Sequence, residues 1–173
     1  PTGALSDLQA AAVWGRANGV PVFSDECYVE FTWDGLPRTI LASGLDGVVA
    51  VHSLSKRSNL AGLRIGFYAG DAELVHYLGE VRKHVGMMVP GPVQAAGAAA
   101  LGDDTHVLAQ RDRYRRRLER LGEVLAVWSG FDVPMPAGAF YLWFNVVDGW
   151  AFAERLATEG GALVSPGDFY GEG

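Results

Sequence analysis

The sequence holds one cysteine, Cys27. An internal disulfide framework is therefore excluded, and a lone thiol fits a reducing cytoplasm. No apolar run is long enough to cross a bilayer, and no basic, then apolar, secretory start is present. Positive charge is not in surplus either: the formal net charge is -6, whereas nucleic acids and anionic membranes reward a basic surface, so neither is expected as a partner. The phosphate-cradling loops Gly-x-Gly-x-x-Gly and Gly-Lys-Ser/Thr are missing, which removes a nucleotide-binding module. His52, His76, His84 and His106 show no ligand spacing, and ordinary structural or surface roles are expected for them rather than a metal site.

What is present is a chain of 173 residues, 49% hydrophobic. That is enough for a real core in one compact domain, or one plus part of another, with a small molecule as the natural ligand. Ser6 with Gln9 forms a capping-box pattern opening an Ala-rich helix that ends at Asn18-Gly19. VPVFSDE reads as a short strand, and Val48 to Val51 as a parallel strand buried on both faces. Helix, strand, connection, strand is an α/β signature. Arg64 to Ala69 reads as a further strand, and Asp71 to Val85 as an amphipathic helix with Leu74, Val75, Leu78 and Val81 on its apolar side. A second Ala-rich helix is expected from Val93 to Leu101.

The longest helical pattern spans Asp103 to Val127 and contains RDRYRRRLERL. Asp112, Glu119 and Glu123 interleave with its arginines while Leu118, Leu121 and Leu125 recur, so a solvated face is expected rather than a phosphate patch. After Gly130 the texture changes to AGAFYLWFNV, a helix from Trp150 to Thr158, and the strand-like GALVS. These are expected to form an α+β segment. The start at Pro1 and the end at SPGDFYGEG suggest an internal piece of a longer protein.

In a doubly wound sheet, ligands sit beyond the carboxyl ends of the strands. One expected strand ends at Asp25, with Tyr28 three residues on; another runs out into Ser53, Ser55 and Lys56, with Arg64 eight residues past the lysine. Singly, each has an ordinary structural reading. Together a carboxylate, a phenol, hydroxyls, an amine and a guanidinium meet the needs of a ligand with a phosphate, an aldehyde and a ring nitrogen. Pyridoxal 5'-phosphate is that ligand: its usual protein partners are a Schiff-base lysine and a carboxylate at the pyridinium nitrogen.

The sequence resembles the fold-type I, aspartate-aminotransferase-like family along essentially its whole length. PTG resembles the end of the family's Asn-Pro-Thr-Gly signature, SDECY its Asp-x-x-Tyr, and SLSKRSNLAGLRIG its Ser-x-x-Lys with a following arginine. The resemblance implies an α/β fold: part of a large-domain mixed or parallel sheet with helices on both faces in residues 1–124, and part of a smaller α+β C-terminal domain in residues 125–173. It implies that Lys56 forms the Schiff base with the cofactor and shuttles protons, that Asp25 pairs with the ring nitrogen, and that Tyr28 hydrogen-bonds the 3'-oxygen. Ser53, Ser55 and Arg64 fall where the family holds the phosphate.

The strings KRSNLAGLR, VRKHVGMMVPGPVQAA, RYRRR and GAFYLW further resemble actinobacterial N-succinyldiaminopimelate aminotransferases of lysine biosynthesis. The substrates implied are amino acids and 2-oxo acids; aspartate, aromatic or kynurenine aminotransferases and C-S lyases of the same fold are the alternatives. A homodimer through the large domain is implied, with the loop from Met88 to Pro92 touching the partner. The family's carboxylate-clamping arginine, glycine-rich turn, ring-stacking aromatic and asparagine near the 3'-oxygen fall outside these residues, so the piece alone is expected to be inactive or nearly so. Ser53-Leu54-Ser55-Lys56 also matches the Ser-x-x-Lys of Ser-Lys hydrolases. Those require Ser-Asp-Asn and Lys-Thr-Gly downstream, and neither occurs.

Overall fold

A computed structural model describes Gly3 and residues 6–171. The N-terminal helix, α1 (Leu8–Asn18), leads into β1 (Val22–Asp25). Its N-cap is Asp7 without a side-chain cap bond, because the Ser6 hydroxyl turns to the Asp7 carboxylate at 3.5 Å. The expected capping box therefore does not form. At the other end Gly19 takes the left-handed conformation, φ 64°, that closes a helix at little cost without a Cβ. Arg16 then ties α1 to the loop ahead of the next strand, donating to the Ser43, Gly44 and Asp46 carbonyls.

β2 (Val48–Ser53) pairs parallel with β1, Val22 opposite Val48 and Asp25 opposite Val51. Val48, Val49 and Ala50 are fully buried, as a strand covered on both faces requires. Around them Ala12, Ile40, Val48 and Ala50 form a closed core with Leu8, Val22 and Leu41 packed against it. β2 passes directly into a single helical turn, α2 (Leu54–Arg57), and the chain returns as β3 (Gly66–Gly70), antiparallel to β2. The strand begins two residues later than the sequence suggested, because Arg64 adopts φ 51° and breaks the extended run. Both ends of β3 are glycines for a steric reason: a Cβ on Gly66 or Gly70 would collide with the His52 or Val48 carbonyl.

Asp71 caps α3 (Ala72–His84), accepting from the Glu73 and Leu74 N–H groups and, through its other oxygen, from Gly47. Leu74, Val75 and Leu78 are half-buried while Val81 is exposed. α4 (Gly91–Leu101) seats against the sheet at Gly97, where a side chain would meet Ile65 and Leu54. α5 (Thr105–Ser129) runs unbroken past residue 125 to the left-handed Gly130. Arg115, Arg116 and Arg120 pair along its exposed surface with Glu119, Asp112 and Glu123, the solvated face expected. Arg111 departs from that pattern and turns inward, as described below.

Beyond Gly130 come α6 (Gly149–Gly160), whose Phe152 packs on Trp128, Phe131 and Phe144, and a 3-10 turn at Gly167–Tyr170. AGAFYLWFNV and GALVS, expected as strands, form no ladder; the region makes one isolated bridge, Thr32 with Gly138. A strand needs a neighbour for its N–H and C=O groups, and residues 32–34 supply one only at the first residues of AGAFYLWFNV, where Trp33 and Asp34 donate to the Ala137 carbonyl. No described helix is long and apolar enough to cross a membrane.

Candidate active site

The parallel pair β1 and β2 ends on one rim, and each strand delivers its polar residues there. Asp25 is the last residue of β1; the ladder continues one step further through Glu26 N–H to the Val51 carbonyl at 2.8 Å. Asp25 Oδ1 then accepts from the Cys27 N–H at 3.1 Å, which turns the chain sharply and sets the carboxylate's direction. From β2, Ser53 caps α2 by accepting the Ser55 N–H at 3.2 Å. Leu54, 1% exposed, anchors that turn in the core, so Ser55 and Lys56 emerge from a fixed point.

Lys56 Nζ lies 5.7 Å from the centre of the Tyr28 ring and 5.6 Å from that of Phe140. Asp25 and Lys56 both act on Cys27. Its thiol is pushed up to about 12, first by burial, then by the hydrogen bond and charge of Asp25, with the Lys56 ammonium pulling the other way. The amine thus stands over the ring of Tyr28, three residues past the Asp25 carboxylate. The Tyr28 hydroxyl is 2.7 Å from that of Tyr141, a pair in which either can donate, and its phenol is held well above the ordinary range chiefly by burial.

Arg64 follows a different course. Ser53 pairs with Gly66 and Leu54 donates to the Ile65 carbonyl, which brings Arg64 next to the start of α2. Its exposed guanidinium donates to Ala61 O at 3.0 Å, and no hydrogen bond joins it to Ser53, Ser55 or Lys56 among the described residues. The PTG stretch lies, but for Gly3, outside the described residues. His52 points to the opposite face of β2 from Ser53, stacking on Phe67 at 4.8 Å with Nε2 3.4 Å from the buried Glu26 carboxylate.

Four residues around the rim escape a reading of the sequence. Glu26 is fully buried and accepts the Ile40 N–H at 2.7 Å, tying the residues after β1 to the core. Arg57, next to Lys56, bridges Glu30, Asp104 and the Ala100 carbonyl and so fastens α2 to α4 and α5. Phe140 and Tyr141 arrive from more than a hundred residues away; HSLSKR and GAFYLW carry no spacing that relates them. Among the described residues no group of three or more His, Cys, Asp or Glu side chains could hold a metal ion.

An amine, a carboxylate and a phenol on one strand rim, with a guanidinium and two hydroxyls alongside, are the donor set pyridoxal phosphate needs. Residues 1–172 match the family described as aminotransferase class I and II. The chain belongs to that family. Class I and II aminotransferases are pyridoxal-phosphate dependent. Within the family, the chain is 46% identical to the 4-dedimethylamino-4-oxo-anhydrotetracycline transaminase OxyQ of Streptomyces rimosus over 97% of its length and 48% of OxyQ. It is 37% identical to the LL-diaminopimelate aminotransferase of Aquifex aeolicus, over 92% of this chain and 43% of that enzyme. The structure of BacF from Bacillus subtilis superposes with a TM-score of 0.87 at 27% identity, covering 99% of this chain and 48% of BacF. This aminotransferase-family chain thus spans about half the length of the curated relatives it matches.

Proposed function

We propose that these residues form the cofactor-anchoring part of a pyridoxal-phosphate aminotransferase that moves an amino group between an amino acid and a 2-oxo acid. The observation that supports this most directly is that Lys56 Nζ stands 5.7 Å from the centre of the Tyr28 ring, one turn past Asp25, where two adjacent parallel strands end. When bound, pyridoxal phosphate supplies a carbonyl that amines condense with and a ring that accepts the electrons of a broken C–H bond. Lys56 Nζ takes the proton from the substrate α-carbon and returns it during amino transfer. The Asp25 carboxylate, oriented by the Cys27 N–H, would pair with the ring nitrogen and favour its protonated form. Tyr28 donates to the 3'-oxygen; Ser53, Ser55 and Arg64 hold the phosphate, the guanidinium with a fork suited to two oxygens at once.

For the substrate we infer N-succinyl-LL-2,6-diaminopimelate with 2-oxoglutarate as acceptor, a step of lysine biosynthesis. The strings around Lys56, Met88 and Phe140 support this, and so does the named substrate of the Aquifex relative. OxyQ, more similar in sequence, carries a different substrate in its name, so the pocket's specificity is set at finer detail than overall identity. In the same reading residues 1–124 belong to the large domain and 125–173 to the small one. The enzyme is then a homodimer in which the exposed Met87 and Met88 lie near the partner.

The test is to incubate the full-length protein with glutamate and a panel of 2-oxo acids and carbonyl acceptors, N-succinyl-2-amino-6-oxopimelate among them, and measure 2-oxoglutarate. Fastest turnover with that acceptor is expected. Turnover only with unrelated acceptors would overturn the substrate; with L-cystathionine supplied in place of glutamate, release of ammonia, homocysteine and pyruvate with no aminated acceptor would overturn amino transfer.

A further inference from the structure

Tyr141 stands beside the proposed cofactor contacts without a role in them. Its hydroxyl is 2.7 Å from that of Tyr28, and the two rings lie 5.8 Å apart at 59°. This is a built contact rather than a chance of rotamers. Two residues upstream, Ala139 is 7% exposed and adopts φ 60°, a conformation disfavoured for a residue with a Cβ that persists only where the surroundings impose it. Those surroundings are visible. The Trp33 indole N–H donates to the Ala139 carbonyl, the Trp33 and Asp34 N–H groups donate to the Ala137 carbonyl, and Thr32 bridges to Gly138. Next, Phe140 is stacked on Tyr114 at 4.6 Å and set edge-on to Phe31 and Tyr28. The segment is held at both levels, and its effect is to aim one hydroxyl at another.

We propose that Tyr141 is a positioning residue that donates its hydroxyl proton to Tyr28 Oη, and so leaves the Tyr28 proton directed at the cofactor's 3'-oxygen and strengthens it as a donor. A hydroxyl that accepts a hydrogen bond becomes a better donor, because the chain of bonds polarises along its length. The consequence is electrical. A stronger bond from Tyr28 stabilises negative charge on the 3'-oxygen, and with it the form of the cofactor in which the nitrogen joined to Lys56 has lost its proton. In this proposal Tyr141 acts through Tyr28, whose hydroxyl it meets at 2.7 Å. The proposal rests on the reading of Tyr28 as the partner of the 3'-oxygen.

The experiment uses the full-length protein loaded with pyridoxal phosphate and follows the cofactor's absorbance against pH in the wild type, Tyr28→Phe, Tyr141→Phe and the double variant. Tyr28→Phe is expected to raise the midpoint. Tyr141→Phe is expected to raise it by about half to one pH unit, as removal of one neutral hydrogen bond allows. In the Tyr28→Phe background the second substitution should add nothing. Thermal midpoint and cofactor affinity should change little in Tyr141→Phe, which a purely structural role would not predict alongside a moved titration. If Tyr28→Phe shifts the midpoint and Tyr141→Phe does not, or shifts it equally without Tyr28, this proposal fails and the reading of Tyr28 stands. If Tyr28→Phe shifts nothing, both fall together.

Discussion

The Arg111 guanidinium lies 4.9 Å from the centre of the Trp33 ring while donating to the Glu30 carbonyl at 2.9 Å and the Thr32 carbonyl at 2.6 Å. One cation from α5 thus holds the chain that follows Tyr28. It also steadies Trp33, which in turn grips the Ala139 turn. Arg111→Ala should lower the unfolding free energy by about 2–3 kcal/mol, since charge-assisted bonds to partly buried carbonyls and a cation over an aromatic face are lost together. Arg111→Lys should recover only part of it, because an ammonium cannot keep two carbonyls and the ring face in one plane. Urea titration of the three proteins checks both statements; a lysine variant as stable as wild type would show that charge alone suffices.

Lys56 and Lys83 are the sequence's only lysines. Borohydride reduction of the cofactor-loaded full-length protein, followed by mapping of the peptides from these residues, should mark Lys56 and leave Lys83 on α3 unlabelled. Lys56→Ala should fold and bind cofactor weakly while turnover falls at least 10²–10⁴-fold, the range that a positioned acid-base group contributes. Label on Lys83, or retained turnover in the variant, removes Lys56 from its place.

Cys27 reports on Asp25. With the thiol raised from the usual 9.0 to about 12, its thiolate fraction near neutral pH is down roughly a thousand-fold, so iodoacetamide should label the native chain far more slowly than the unfolded one. Asp25→Asn removes a negative charge beside the thiol and should speed labelling. Lys56→Ala should slow it further. Identical rates in all three proteins would mean that these side chains do not share the thiol's surroundings.

Asp71 sets an acid limit on stability. Hydrogen bonds from Gly47, Leu74 and Glu73 hold its carboxyl below the usual 3.8 in the folded chain. The unfolded chain then binds more protons in the acid range, so stability rises with pH there: the contribution is full above 3.8 and is lost as pH falls through the lowered folded value. The urea midpoint of wild type should exceed that of Asp71→Asn at neutral pH, and the two curves should approach each other as the solution is acidified. Parallel curves would assign the loss to something other than this carboxyl.

Much of the rim was legible from residue order because its geometry is local. Asp25 and Tyr28 sit on one turn after a strand, Ser53 to Lys56 on one turn after another, and parallel pairing of two short apolar strands suffices to align them. Caps were less legible: Ser6 and Gln9 fit a capping box, yet Asp7 won because side chain and backbone compete over distances a pattern does not encode. The aromatic stretch AGAFYLWFNV has strand propensity, but propensity makes a strand only where a neighbour offers its hydrogen bonds. What the order of residues settled by itself was which chemical groups stand at the ends of β1 and β2. Tertiary structure alone decided that Tyr141 meets Tyr28, that Phe140 lies beneath Lys56, and that Arg111 turns in from a charged helix face. Those contacts join residues far apart in the chain, and they arise from the packing of α5 and of the Phe140 segment against the residues after β1, which no local spacing contains.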